Sequence, residues 1–425
     1  MNHSTALTRF AHAMLAFVLV VAMCAPIHAF ADEPSEDAAS SVVQSGDSSP
    51  GDTPTGSSAP EGSDGDVQGD SGASLPQEPA AVSGEPAPAA ADVVTMKQGE
   101  GEAKNYDSIA AALADVADYH YKNNKEAYVI TLNQYMSESV TIPANKKVTI
   151  DLNGKQLNGR DGVTLTVQSK YVTLQDSVGG GGIFAHYNDA VKIEKNSKLT
   201  ITGGRAAAMG MDCAIVNDGT LTVTGGAVEA YRTAISNNGT VTVSGGSVFG
   251  GDVAIANLGK VTVSGGSVSN ARTDAGKCAI SLSSTASLSV SGGEVESPGV
   301  AVSACNSASV TVSGGTISGD QRGIEALDST KVDISAGTLS SSGGFALSVD
   351  NAVTAVVSGG TFNVASAADV CDSPVFVERY SAVEKDGKVV VEMTRPAAIV
   401  IAEDGTQTAY ETFTKACSNA PPAAP

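Results

Sequence analysis

The chain has 425 residues, 46 acidic against 25 basic side chains, a net charge of −21 and no tryptophan. So acidic a balance argues against nucleic acid or an anionic membrane as a partner. Five histidines and six cysteines, with no Cys-x-x-Cys pair, leave little for a histidine-based metal site or a catalytic triad.

Residues 1–31 read as a signal peptide. His3, Arg9 and His12 make a weakly basic start, Ala13 to Cys24 is apolar, and Ala29-Phe30-Ala31 gives a small-x-small cleavage site, with the cut after Ala31. The apolar run falls short of the ~20 residues of a membrane span, so no integral span is expected in the mature chain. Residues 32–92 hold thirteen acids, from Asp32 to Asp92, and neither Lys nor Arg. That Ser/Pro/Gly-rich stretch has almost nothing to bury and reads as a disordered, self-repelling linker. Five cysteines follow the cleavage site, Cys213, Cys278, Cys305, Cys371 and Cys417. Secretion permits disulfides, but this spacing shows no framework.

Residues 93–372 form the main body. "NYDSIAAALADVADYHY" places Ile109, Leu113, Val116 and Tyr119 or His120 on one helical face, with Asn105 or Asp107 able to cap. It predicts a helix lidding whatever follows. A phrase then begins to recur. Gly-Gly follows a short β-like run at Gly203, Gly225, Gly245, Gly265, Gly292, Gly314 and Gly359, and Ala336-Gly337 fills the missing place. The successive spacings are 22, 20, 20, 27, 22, 22 and 23 residues. A period near 22 is the signature of a solenoid, whose units bury their apolar faces only by stacking.

Each unit holds three short runs of period two, such as "AIAN", "KVTVS" and "GSVSN". Three short strands per lap predict an all-β fold, a right-handed parallel β-helix of ~22-residue coils. Stacking turns alignment columns into ladders. Three apolar columns should point inward: Val223, Val243, Val263, Val290, Val312, Ile334 and Val357; Val228, Val248, Val268, Val295, Ile317, Leu339 and Phe362; and Ile215, Ile235, Ile255, Ile280, Val302, Ile324 and Leu347. Gly-Gly marks a turn needing positive φ or close backbone approach. Gly219, Gly239, Gly259, Asn306, Asp328 and Asn351 mark a second turn, at which left-handed backbone is expected. Asn217, Asn237 and Asn257 should stack as an internal amide ladder.

The far end should be closed by residues 373–396, where Asp386-Gly387 signals a hairpin turn. Residues 397–425 read as the start of a second, truncated module. "GTQTAYETF" from Gly405 repeats the spacing of "GEAKNYDSI" from Gly101, as though a second capping helix began there.

The Tyr-x-Ser-Ile helix, the run "VTIPANKKVTIDLNGKQL" and the Gly-Gly coils resemble right-handed β-helix surface proteins of Gram-positive bacteria, within the pectin-lyase-like superfamily. The resemblance covers roughly Val93 to Phe362. It implies fold more than function, because such proteins include polysaccharide lyases, hydrolases and non-catalytic adhesin-like stalks. Cleavage would need converging carboxylates, or a Ca²⁺ cluster with a basic residue.

The best acid pair is Glu294 and Glu296, on one outward face, but their coil neighbours Ser267, Ser269, Thr316 and Ser318 add neither acid nor base. The column Asp212, Arg232, Asp252, Lys277, Gly299, Gln321 alternates in sign, which suits a paired surface ladder. No catalytic residue, metal ligand or cofactor is therefore assigned. The binding candidate is a double column of outward hydroxyls: Thr222 and Thr224, Thr242 and Ser244, Thr262 and Ser264, Ser289 and Ser291, Thr311 and Ser313. Such a face could hold glycans, although Ser and Thr are also ordinary solvent-side strand residues. The expectation is a secreted, surface-attached, non-catalytic scaffold, an adhesin-like stalk or glycan-binding module whose partners are glycans or host or bacterial surface components. The alternative is a polysaccharide lyase or glycoside hydrolase.

Overall fold

A run such as Lys260-Val261-Thr262-Val263 buries every second side chain. One such strand covers one side of a core, and several are needed to enclose it. The computed structural model describes residues 92–120, 126–159, 162–373, 380–393, 398–401 and 406–410. The leader, the acidic stretch before Asp92 and Cys417 lie outside these.

The described chain is an all-β parallel solenoid whose laps each visit three columns of strands. The first column holds eleven parallel strands, from Tyr128–Leu132 to Thr354–Val357. The second runs from Met136–Ser137 to Thr361–Asn363, and the third has ten strands, from Val140–Ile142 to Leu347–Val349. At ~4.8 Å per coil the stack is roughly 50 Å long. Five strands of 11 residues, such as Thr240–Gly250 and Lys260–Asn270, run on through the Gly-Gly corner. They merge the first two columns into one bent sheet. All three expected apolar columns point inward, and none of their members is more than 1% exposed.

The two glycines of the corner do different work. Gly246 and Gly266 have φ of 70 and 71, in the left-handed region. Gly245 and Gly265 do not, but a Cβ on either would come within 2.3 or 2.4 Å of a carbonyl oxygen of the coil below. The second turn departs from expectation. Asn306 and Asp328 are left-handed, with φ of 63 and 58, whereas Gly219, Gly239, Gly259 and Asn351 are not. Side chains close these turns instead. The Gly239 amide donates to Asn237 Oδ1 at 3.1 Å, and the Ala352 amide to Asp350 Oδ1 at 2.9 Å. Glycine is still required at 239, where a Cβ would lie 2.1 Å from the Gly219 oxygen. The amide ladder is present: Asn217 Nδ2 donates to Asn237 Oδ1, and Asn237 Nδ2 to Asn257 Oδ1, both at 2.7 Å.

Both ends of the stack are closed. At the first, helix α1 (Ile109–Asp115) buries Ile109, Ala112 and Leu113. Its cap is Ser108, whose Oγ accepts from the Ala111 amide at 3.0 Å, rather than Asn105 or Asp107. Asn105 is unavailable because Lys104–Tyr106 is itself a strand. The helix stops at Asp115, so Tyr119 and His120 lie beyond it. Glu138, from the first coil, accepts from the Ile109 and Ala110 amides at 3.1 and 3.0 Å. Two strands that the periodicity did not suggest complete this cap. Val94–Gln98 lies antiparallel to Tyr128–Leu132 and to Lys104–Tyr106. At the other end, Tyr380–Lys385 and Lys388–Met393 form the expected hairpin around Asp386-Gly387, and Lys388–Met393 lies antiparallel to Thr361–Asn363. Beyond it, Ala398–Ile401 pairs with Gln407–Tyr410, so Tyr410 ends a strand. Residues 411–425, the rest of the expected second helix, lie outside the described residues.

The facing of the strands makes a sharp test. Val263→Asp places a carboxylate among buried aliphatics and should cost several kcal/mol. Thr262→Asp, one residue away and half-exposed, should cost well under ~1 kcal/mol. Thermal unfolding of the two variants should separate them widely, and equal losses would contradict the assigned facing.

Candidate functional site

The outer face of the first column carries the most regular surface chemistry on the solenoid. Thr149, Thr173, Thr200, Thr222, Thr242, Thr262, Ser289 and Thr311 are consecutive partners across eight coils. Asp333 is next in the row and ends it. The ladder is longer than the five coils named from the sequence: it also takes in Thr200, from the Gly203 coil, and Thr149 and Thr173, whose coils lack the Gly-Gly phrase in its plain form. Among the described residues, no hydrogen bond to protein engages the hydroxyls of Thr222, Thr242 and Thr262.

The second hydroxyl column is a different object. Ser244, Ser264, Ser291 and Ser313 sit at a register shift and face Gly265, Gly292, Gly314 and Ala336. Thr224 Oγ1 turns back to donate to the Ile201 carbonyl at 3.2 Å, and Ser244 Oγ to that of Val223 at 3.5 Å. Ser335 does the same to Val312 at 3.4 Å. These hydroxyls satisfy carbonyls of the preceding coil where the chain bends. Of the ten candidate residues, Thr222, Thr242, Thr262, Ser289 and Thr311 form one continuous row. Thr224, Ser244, Ser264, Ser291 and Ser313 form the corner beside it.

Two rows away on the same face stand Lys147, Tyr171, Lys198, Thr220, Thr240, Lys260, Ser287, Ser309 and Lys331. Lys198, Lys260 and Lys331 recur every third coil, about 14 Å apart at ~4.8 Å per coil. Tyr119 joins this row at its foot. Its ring lies 4.6 Å from that of Tyr171, centroid to centroid, and Lys147 Nζ sits 4.8 Å over the Tyr119 ring. The aromatic pair was hidden from sequence reasoning because its members are 52 residues apart, on a loop and a strand. The face thus presents an aromatic foot, an unpaired hydroxyl row and spaced ammonium groups, on a chain whose net charge is strongly negative.

Other clusters are structural. Asp252 is 5% exposed in its side chain and takes three cations: Arg232 Nε at 3.2 Å, Arg272 Nη1 at 2.7 Å and Lys277 Nζ at 2.7 Å. Burial pushes its carboxyl up, but the hydrogen bonds from Lys277 and Arg232 and the charges of Lys277 and Arg272 outweigh that and hold it below its ordinary value. The alternating column expected from sequence is therefore paired through Asp252. Arg272, from a longer turn, joins it and lies over the Tyr231 ring at 5.0 Å. Glu229 faces outward from the second column, 3.5 Å from Arg205, and burial raises its carboxyl above the usual range. Glu294 and Glu296 are exposed on the second column, between Ser267 and Ser269 on one side and Thr316 and Ser318 on the other. Burial pushes the thiols of Cys213 and Cys371 up to about 11 and that of Cys278 to about 12, too high for a nucleophile at neutral pH. These three and Cys305 are free thiols. A pocket of about 50 Å³ beside Tyr119, His120 and Lys147 has room for a water or two. Among the described residues, no cluster of three or more His, Cys, Asp or Glu side chains is placed to hold a metal ion, and no helix is long and apolar enough to cross a membrane.

Asp252 gives a pH test. Its carboxyl is held below 3.8, so its ion pairs contribute fully above that value. The contribution is lost as pH falls through the lowered folded value. Asp252→Asn should cost about 2 kcal/mol at pH 7. The gap to the parent chain should hold down to about pH 4 and narrow only as urea unfolding is carried below that, towards about pH 2. A gap that does not narrow over that range would show that the cost is steric.

Comparison of the chain with protein-family models, with curated proteins and with solved structures returned no match.

Proposed function

We propose that this chain is a secreted, non-catalytic β-helix scaffold of the adhesin-like kind, and that it holds glycans along the outer face of the first column. The observation that carries the reading is the unbroken row from Thr149 to Thr311, flanked by Lys198 and Lys260 and footed by Tyr119 and Tyr171. Hydroxyls that donate and accept match the hydroxyls of sugars. Tyrosine supplies an apolar ring face with a polar tip. The ammonium row favours glycans bearing carboxylate or sulfate over neutral ones. The leader-like first 31 residues support an extracellular site of action. The Gly-Gly coils resemble those of Gram-positive β-helix surface proteins, which supports the adhesin-like reading.

The competing reading is a polysaccharide lyase or hydrolase. Its foothold is Glu294 and Glu296, whose i, i+2 spacing on a strand puts their Cα atoms ~6.5–7 Å apart. Product release from a polysaccharide panel, lost in Glu294→Gln/Glu296→Gln, would favour that reading instead.

A glycan array probed with the secreted chain should show binding to acidic polysaccharides that weakens with salt. Replacing Thr222, Thr242 and Thr262 together by Val keeps shape and β-propensity but removes three hydroxyls. Affinity should fall at least ~10-fold, about 1.4 kcal/mol, with melting unchanged. Tyr171→Ala should weaken binding on its own. Unchanged binding by the triple variant would move the site away from this face.

A further inference from the structure

Among the described residues, the hairpin near the end of the chain pairs with no strand of the solenoid that precedes it. That stack is already closed at both ends, by Val94–Gln98 on the first coil and by Lys388–Met393 on the last. Yet Ala398–Ile401 and Gln407–Tyr410 form a further antiparallel pair, a sheet of two strands among the described residues.

Its register matches that of the first cap. In the cap the partners are Val94 with Tyr106, Thr95 with Asn105 and Met96 with Lys104. In the later hairpin they are Ala398 with Tyr410, Ile399 with Ala409 and Val400 with Thr408. Every number in the second set is 304 higher than its counterpart. The same offset carries Gly101 to Gly405, Tyr106 to Tyr410 and the helix cap Ser108 to Thr412, another hydroxyl residue suited to a helix N-cap. It carries Ile109 to Phe413 and Ala112 to Ala416, both apolar or small as the buried face of α1 requires. The other hairpin of this region, around Asp386-Gly387, is closed by a two-residue turn and shares none of this.

We propose that residues 398–410 are a second cap hairpin, whose strand Ala398–Ile401 is built to take an antiparallel partner on its free edge. The partner is the first-coil strand of a second β-solenoid, as Val94–Gln98 takes Tyr128–Leu132. The correspondence with the first cap points to this partner. Residues 94 and 96 are inward in the first cap, 0% and 5% exposed, and their counterparts Ala398 and Val400 are apolar. A first-coil strand alternates in the complementary sense, with Ile130 and Leu132 buried.

The chain supplies its own test. In one variant residues 94–106 are exchanged for the 13-residue sequence of 398–410. In a second, 94–113 are exchanged for 398–417, which brings Phe413 to offset the smaller Ala398. In the control, 94–106 are exchanged for 381–393, equally long and also a hairpin. Hydrogen exchange of Tyr128–Leu132 reads cap formation directly, and melting temperature reads its effect. At least one of the first two variants should protect the Thr131 amide, which faces the cap strand, within about tenfold of the parent and melt within about 4 °C of it. The control should lose that protection. The proposal is overturned if both variants exchange as fast as the control, or if the control protects the strand equally well.

Discussion

Everything in this protein rests on one close approach: the backbone of each coil lies against the carbonyl oxygens of the coil beneath, too near at the Gly-Gly corner for a Cβ. The 2.3 Å that would separate a Gly245 Cβ from the Thr224 oxygen leaves no room for a side chain. Parallel stacking in strict register follows, and from register come the columns. The five long strands that run through the corner depend on this contact, as does the burial of three aliphatic rows. Ala336 is the one residue that brings a Cβ to the first corner position of the Gly-Gly coils.

Register also decides what polar residues do. A repeated residue in an inward column becomes a ladder that must satisfy itself. The three asparagines do so by passing one amide hydrogen from coil to coil while each oxygen also accepts from the turn glycine two residues on. A repeated charge would be costly in the same arrangement, and the corner column avoids it by alternating sign around Asp252. Repeated hydroxyls have two fates. At the corner Thr202, Thr224, Ser244 and Ser335 bend back onto carbonyls, and in mid-strand the hydroxyls of Thr222, Thr242 and Thr262 point away from such partners. Position within the coil, rather than residue type, separates a structural serine from one available to a ligand.

Most of the fold was legible because period 22 and period two occur together and reinforce one another. The inward columns, the asparagine ladder and the charge alternation follow from single residues repeated at one interval, and the last hairpin from the local Asp386-Gly387 turn signal. The features that escaped lie outside the repeat. The cap strand Val94–Gln98 lies outside the 22-residue repeat, and its pairing with Tyr128–Leu132 spans a helix. Ser108 was overlooked as a cap because Asn105 and Asp107 flank the same turn. Left-handed backbone at Gly219 and Asn351 was the wrong inference because glycine and asparagine enter turns for more than one reason. On the outer face of the first column, the hydroxyl row was visible, but its aromatic foot needed the loop after α1 to be placed against the third coil.

A solenoid of this kind offers a ligand a face instead of an enclosing pocket, and that shapes the recognition it can perform. A single solvated hydroxyl contact contributes about 1 kcal/mol or less, so a monosaccharide on one coil would be held weakly. The row from Thr149 to Thr311 repeats that contact at ~4.8 Å intervals. A polymer whose repeat matches that interval would meet successive coils with successive sugars. Once the first is held, the others bind at high effective concentration, and affinity grows with the number of coils engaged. The ammonium groups enter at every third coil, too far apart to repel one another strongly at physiological salt, where the screening length is about 8 Å. They would fix the register of an acidic polymer without demanding a charge on each sugar. The same stacking that excludes a Cβ from the corner thereby sets the interval at which the hydroxyl row repeats.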